Sequence, residues 1–322
     1  MNALRSLTPN AITPLPADGR YEYSAHRWSL PEIDALTLAL AARRPLLVRG
    51  EPGIGKTQIA RAVAVHLGWR LHSETIHPRF DPEHLIARFD AVRRLADAQA
   101  QKLGEDSDYW SPGPLWRAYD WAGAERFKSV SAPIAQPVAE PDGHVILIDE
   151  IDKADSDLPN SLLELLGQRS LAFAPLKLQL GGPDARLPLV IITTNEEREL
   201  PAAFIRRCVV LNLAAPEDYR GWLIERGRTH YPGGDRAMHE TVLALAADDL
   251  IDDRSTMKQA DLPPPGAAEY LDLLSALHDL AARDTAAQLK LIEKLSLYAY
   301  FKHSVRPSPR RQSRDPIASD PS

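Results

Sequence analysis

Eight consecutive residues, Gly50, Glu51, Pro52, Gly53, Ile54, Gly55, Lys56 and Thr57, fit the pattern G-x-x-x-x-G-K-[ST]. The apolar run Leu46, Leu47, Val48 before them has β character, and Ile59, Ala60, Val63, Ala64 and Leu67 after them recur at helical spacing. Glycines and Pro52 bend such a loop until successive N–H groups face inward, and the next helix aims its positive end at the same spot. The pattern predicts binding of a nucleoside triphosphate. Lys56 is expected to reach the outer phosphates and Thr57 to offer its hydroxyl to Mg2+, which prefers hard oxygen ligands. The alternative, a chance match in an ordinary loop, leaves the flanking strand and helix unexplained.

A second chemical element is the run Val145, Ile146, Leu147, Ile148, which ends in the adjacent acids Asp149 and Glu150. The carboxyl edge of a buried strand is where α/β sheets bind ligands. There Asp149 is expected to hold hydrated Mg2+, and Glu150 to orient the water that attacks the terminal phosphorus. A further apolar run, Leu189 to Thr194, delivers Asn195 to the same edge, where an amide can contact phosphate and attacking water. Glu199 to Cys208 reads as a short helix ending in Arg206 and Arg207. These arginines either complement the helix dipole or act on a neighbouring subunit's site, since a guanidinium stabilises charge on a transferring phosphoryl group.

The elements that must position these groups alternate along the chain. Apolar strands are expected near Leu46–Arg49, Arg70–Ile76, Val145–Asp149, Leu189–Thr194 and Val209–Leu213, with helices between, including Pro31–Ala42 and Pro159–Gly167. This predicts an α/β class and a mostly parallel sheet. Residues 1–20, with three prolines and no periodicity, are expected as a flexible arm, and residues 21–215 as the core. Beyond Pro216 only helical patterns remain, so 216–301 is expected as a helical domain, with Asp248 to Pro265 as a polar connection. Residues 302–322, basic and rich in Pro and Ser, are expected to be a disordered tail.

Composition narrows the function classes. The 322 residues are 44% hydrophobic and 25% charged, with a formal net charge of −6, which argues against non-specific binding of nucleic acid. Cys208 is the only cysteine, excluding an intramolecular disulfide or a multi-thiolate zinc site. No apolar run approaches the ~20 residues that cross a bilayer. A cytoplasmic protein is expected.

Taken together, these motifs resemble the AAA+ ATPases and, within them, the MoxR family. Gly50–Thr57 is similar to Walker A, Val145–Glu150 to Walker B and Thr193-Thr194-Asn195 to sensor 1. More specific are Phe89-Asp90-Ala91-Val92 and Ser111-Pro112-Gly113-Pro114-Leu115-Trp116, which resemble the helix-2 insert region (about 87–108) and its Gly-Pro-Leu segment. The resemblance implies a P-loop NTPase three-layer αβα sandwich followed by a small α-helical lid. It implies ATP and Mg2+ as ligands, a homo-oligomeric ring (a hexamer), and chaperone-like work on a partner protein such as one carrying a von Willebrand factor A domain. By position in the motif, Arg207 and then Arg206 are the candidate trans-acting fingers. The family's sensor 2 arginine has no counterpart in Pro265-Gly266-Ala267-Ala268-Glu269, leaving Lys258 or the neighbouring subunit as substitutes. The expected moving parts are the insert and a hairpin-like segment from Leu176 to Leu189. Two alternatives remain open: a nucleotide-gated interaction module with weak hydrolysis, and a nucleic-acid motor using Trp110, Trp116, Tyr119 and Trp121 for base stacking.

Overall fold

The computed structural model describes residues 4–19, 21–127, 139–155, 158–167, 170–182 and 185–300. The expected tail at 302–322 lies outside the described residues. The chain divides into two compact units. The first takes the residues up to Ala11, Trp28–Gly50 and Thr57–Asn212; the second takes Ile12–Arg27, Glu51–Lys56 and the described chain from Leu213 onward.

In the first unit five strands form one sheet: β1 (Leu46–Gly50), β2 (Arg70–Thr75), β3 (His144–Asp149), β4 (Leu189–Thr194) and β5 (Val209–Leu213). Their order is β5-β1-β4-β3-β2. The β4–β1, β4–β3 and β2–β3 pairings are parallel. Val145 to Ile148 and Leu189 to Ile192 are buried nearly completely, as strands covered on both faces must be. Three flanking helices, α1 (Leu30–Ala42), α2 (Lys56–Leu67) and α3 (Leu158–Gly167), coincide with the expected ones. Ser29 starts α1 through a capping box with Glu32. In α2, Ile59, Ala60, Val63 and Ala64 are buried, and in α3 so are Leu158 and Leu162. Each Val, Ile or Leu side chain among them contributes about 1.5–3 kcal/mol on burial. A parallel sheet with helices over it is the α/β architecture the alternation predicts.

Trp116 and Trp121 are buried in this unit, and Trp110 and Tyr119 pack against its core. Their apolar area is spent on packing. The stretch expected as an insert, about 87–108, contains the helix Ala91–Gln99, and Ala87–Phe89 pairs antiparallel with Trp110–Pro112.

Three expectations differ from what is found. Ile12–Leu15, placed in a loose arm, pairs antiparallel with Ser24–Arg27, and Leu4 and Leu7 are buried. Prolines tolerate such a two-stranded edge because half of its backbone groups need no ladder partner. The acids Asp248, Asp249, Asp252 and Asp253 lie inside a 20-residue helix, Glu240–Gln259, and the connection shrinks to residues 260–266. Aspartate costs a helix only ~0.6 kcal/mol, less than the burial of Leu243, Leu250 and Met257 on the same helix returns. Asp248 pairs with Arg220, and Asp249 accepts from Ser296 Oγ at 3.3 Å. Finally, Leu178–Gly181 is the second strand of a hairpin whose first strand is Ser170–Phe173, so the hairpin begins earlier than expected.

The second unit is helical apart from two short strand pairs: α4 (Tyr219–His230), α5 (Glu240–Gln259), α6 (Ala267–Leu280) and α7 (Thr285–Tyr300). Leu223, Val242, Leu250, Tyr270, Leu274 and Ile292 form its core. No described helix is long and apolar enough to cross a membrane.

Each unit buries one histidine whose charged form is disfavoured. His144 is lowered to about 4 by burial, then by Arg186 and Arg70. Its Nδ1 lies 3.0 Å from His72 Nε2. His230 is likewise lowered to about 4, again mainly by burial. Since an unfolded histidine titrates near 6.5, the unfolded chain binds protons that the folded chain refuses between about 4 and 6.5. The stability these neutral rings contribute is complete above 6.5 and is lost as pH falls toward 4. Urea midpoints measured from pH 7 to pH 4 should therefore fall, and His144→Gln should flatten that fall by about one proton equivalent. An unchanged slope in the variant refutes the assignment.

Candidate nucleotide site

In the first unit the chemistry gathers at the carboxyl end of β3. Thr57 Oγ1, in the first turn of α2, donates to the Asp149 carboxylate at 3.1 Å from both oxygens. Thr193, at the end of β4, donates its hydroxyl to Asp149 Oδ1. Thr193 Oγ1 in turn accepts the Glu150 N–H at 3.0 Å. One carboxylate is thus tied to two neighbouring elements through hydroxyls, while the next residue's backbone hangs on the same threonine. Thr193 is fully buried, and its hydroxyl is satisfied on both sides.

Glu150 turns out of the strand with φ +61°, a left-handed conformation that non-glycine residues rarely take. Its carboxylate accepts from Lys153 Nζ at 2.8 Å, and this bond, first among several causes, raises the lysine's pKa. Both side chains are partly exposed, so the pair is worth at most ~1 kcal/mol and breaks easily. Asp152 is buried and accepts the N–H groups of Asn195 (3.2 Å) and Glu197 (3.1 Å). It fixes the turn that carries Asn195. Arg206 and Arg207 are exposed at the end of the helix Ala202–Arg207, and Arg44 Nη2 donates to Arg206 O at 2.6 Å.

Thr57 and Asp149 supply hard oxygen donors of the kind Mg2+ accepts. Among the described residues no cluster of three or more His, Cys, Asp or Glu side chains could cage a metal alone.

The loop Glu51–Lys56 belongs to the second unit. Gly53 and Gly55 have φ +75° and +107°, conformations that favour glycine over every other residue. Lys56 is buried, with Nζ donating to the Glu51 carbonyl at 2.9 Å. A Cβ on Gly53 would stand 3.2 Å from Ala268 Cβ, and one on Gly266 3.2 Å from Pro52 O. The loop thus passes close to Gly266 and Ala268 at the start of α6. Lys258, expected as a substitute for the sensor 2 arginine, is exposed. The cations beside the loop are instead Arg254, which pairs with the Glu51 carboxylate, and Arg226, whose Nη1 lies 3.3 Å from a Cβ position on Gly55. Sequence reasoning missed both. The available signal was Arg254 at helical spacing from Leu250 and Met257, on the buried face of its helix.

A family model for the AAA domain (dynein-related subfamily) matches residues 45–208, just over half of the chain. The chain is 27% identical over 204 residues to Midasin of Giardia intestinalis, covering 60% of itself and 4% of that protein's length. Among solved structures it is similar to the RuvB Holliday junction branch migration motor of Thermotoga maritima, with 16% identity, 83% and 69% coverage of the two chains and a TM-score of 0.41. A second is a putative ATPase from Cytophaga hutchinsonii, with 14% identity, 80% and 71% coverage and a TM-score of 0.38. The assignment does not lean on these two structures. The match runs from the strand before the phosphate loop through the arginine pair, and the chain belongs to the AAA domain family, in its dynein-related subfamily.

Proposed function

We propose that this chain is a MoxR-like AAA+ ATPase that binds ATP with Mg2+, hydrolyses it, and works as a homo-oligomeric ring, a hexamer, in the cytoplasm to remodel a partner protein. The observation that carries the reading is the Thr57 hydroxyl held on the Asp149 carboxylate, one residue after Lys56 and one before Glu150. Mg2+ held there supplies charge neutralisation on the phosphate oxygens. Lys56 binds the outer phosphates, and the loop amides cradle them. Glu150 orients a water and takes its proton as the water oxygen bonds to the γ-phosphorus. The bond to the β–γ bridging oxygen breaks, and ADP leaves. Asn195, on a turn fixed by Asp152, contacts the γ-phosphate and that water. Release of Glu150 from Lys153 frees the carboxylate for this role.

Exposure of Arg206 and Arg207 supports their use in trans on a neighbouring subunit's site, with Arg207 first. The insert at about 87–108, with Val92 and Leu95 exposed on its helix, is the proposed contact with the remodelled protein. A von Willebrand factor A domain partner rests on the MoxR resemblance. Burial of Trp116 and Trp121 disfavours the nucleic-acid motor, and a nucleotide-gated module has less need of a water-orienting acid at Glu150.

Two experiments test the reading. Glu150→Gln should keep saturable ATP binding while phosphate release falls by about 10²- to 10⁴-fold; a variant that turns over normally refutes the role. For the finger, Arg207→Ala should assemble with ATP like wild type yet lose about 10³-fold in turnover. Mixing it with the Glu150→Gln chain should then partly restore phosphate release, because each variant supplies what the other lacks. If Arg207→Ala and Arg206→Ala both hydrolyse ATP normally while assembled, the trans mechanism is wrong.

A further inference from the structure

The phosphate loop contains one feature that opposes its task. Gly50 to Thr57 includes one acid, Glu51, whose carbonyl holds Lys56 Nζ at 2.9 Å. A carboxylate beside a polyphosphate repels it unless its charge is cancelled. Arg254 is placed to cancel it. This arginine is 8% exposed, and its Nη2 bonds to the Glu51 carboxylate while Nη1 donates to Pro265 O at 2.9 Å. Its guanidinium lies 4.8 Å from the Tyr219 ring centroid. Tyr219 stacks on Trp222 with 5.3 Å between centroids and 25° between planes, and Arg226 covers Trp222 at 4.2 Å. The Arg254 charge is therefore fixed by an acid, a carbonyl and an aromatic face, at a cost in side-chain freedom already met in the folded unit.

We infer that Glu51 and Arg254 form a neutralising pair that sets the affinity of the loop for polyphosphate. The inference rests on the nucleotide reading above and assigns Arg254 as a positioning and charge-compensating residue, acting on the ligand through Glu51. Without Arg254, Glu51 becomes an uncompensated negative charge in the cradle. Affinity then drops, more for ATP than for the less charged ADP, and more at low salt than at high salt. Removing the acid as well removes the repulsion.

The test is equilibrium titration of the full chain with fluorophore-labelled ATP, for wild type, Glu51→Gln, Arg254→Gln and the double variant. Arg254→Gln is expected to weaken binding by about 10-fold at 50 mM salt and by about threefold at 0.5 M, following charge screening. Glu51→Gln binds at least as tightly as wild type, and the double variant returns to within about threefold of it. A merely structural role for Arg254 leaves the double variant as weak as the single one at every salt concentration, and that result overturns the pair. So does an Arg254→Gln chain that binds like wild type. Should Arg254→Gln fail to fold, Glu51→Gln decides by itself, since its half-exposed side chain tolerates the change: a roughly 10-fold loss of affinity at 50 mM salt overturns the inference. Wild type with no saturable uptake refutes the nucleotide reading itself, whereas wild-type uptake without rescue refutes only the pair.

Discussion

At the end of a buried strand, the Asp149 carboxylate is met by two threonine hydroxyls. Much of the first unit is arranged around that contact. A carboxylate partly removed from water needs hydrogen bonds in its place, and Thr57 and Thr193 bring them from different elements to one point. The parallel register provides it: Ile192 pairs with Ile148, which brings Thr193 level with Asp149 one residue on. A slip of one residue would turn Thr193 to the other face of the sheet. The sheet order β5-β1-β4-β3-β2 is the arrangement that sets β4 beside β3 and makes this meeting possible.

The adjacent Glu150 pays a local conformational cost for its position. A left-handed φ on a residue with a side chain costs of order 1 kcal/mol and persists only where neighbours hold it. The holder is Thr193, whose hydroxyl accepts the Glu150 N–H. One threonine thus serves two successive acids, bonding the carboxylate of the first and the backbone of the second. Asp149 and Glu150 consequently differ in environment: the first is bound by hydroxyls, and the second by the partly exposed Lys153.

How much of this the sequence disclosed depended on whether a signal was local. The central strands were readable because strands buried on both faces are nearly continuous apolar runs, Val145 to Ile148 being the clearest. The phosphate loop, Asp149 and Thr193 were readable as motif members, yet not the bonds among them, which depend on inter-strand register. Ile12–Leu15 was missed because a four-residue strand containing proline carries little pattern. The acids of α5 misled because polarity was weighed over the helical spacing of Leu243, Leu250 and Met257. Arg254 and Arg226 were missed for a different reason: their partners, Glu51 and Gly55, lie about 200 and 170 residues away in the chain. No local window contains that information.

Small residues and distant cations both meet the phosphate loop in the second unit. Gly53 approaches Ala268 at the start of α6, and a Cβ on Gly53 would stand 3.2 Å from the Ala268 Cβ. The flanks of the loop are met by α4 and α5, which reach it with Arg226 and Arg254. An arginine is suited to this because its planar cation can stack on an aromatic ring while its edge donates to a carboxylate. Tyr219 and Trp222 supply those rings, so an aromatic pair in the first helix of the unit fixes where its positive charge can act. With no arginine at 266–269, the cations beside the loop come from α4 and α5.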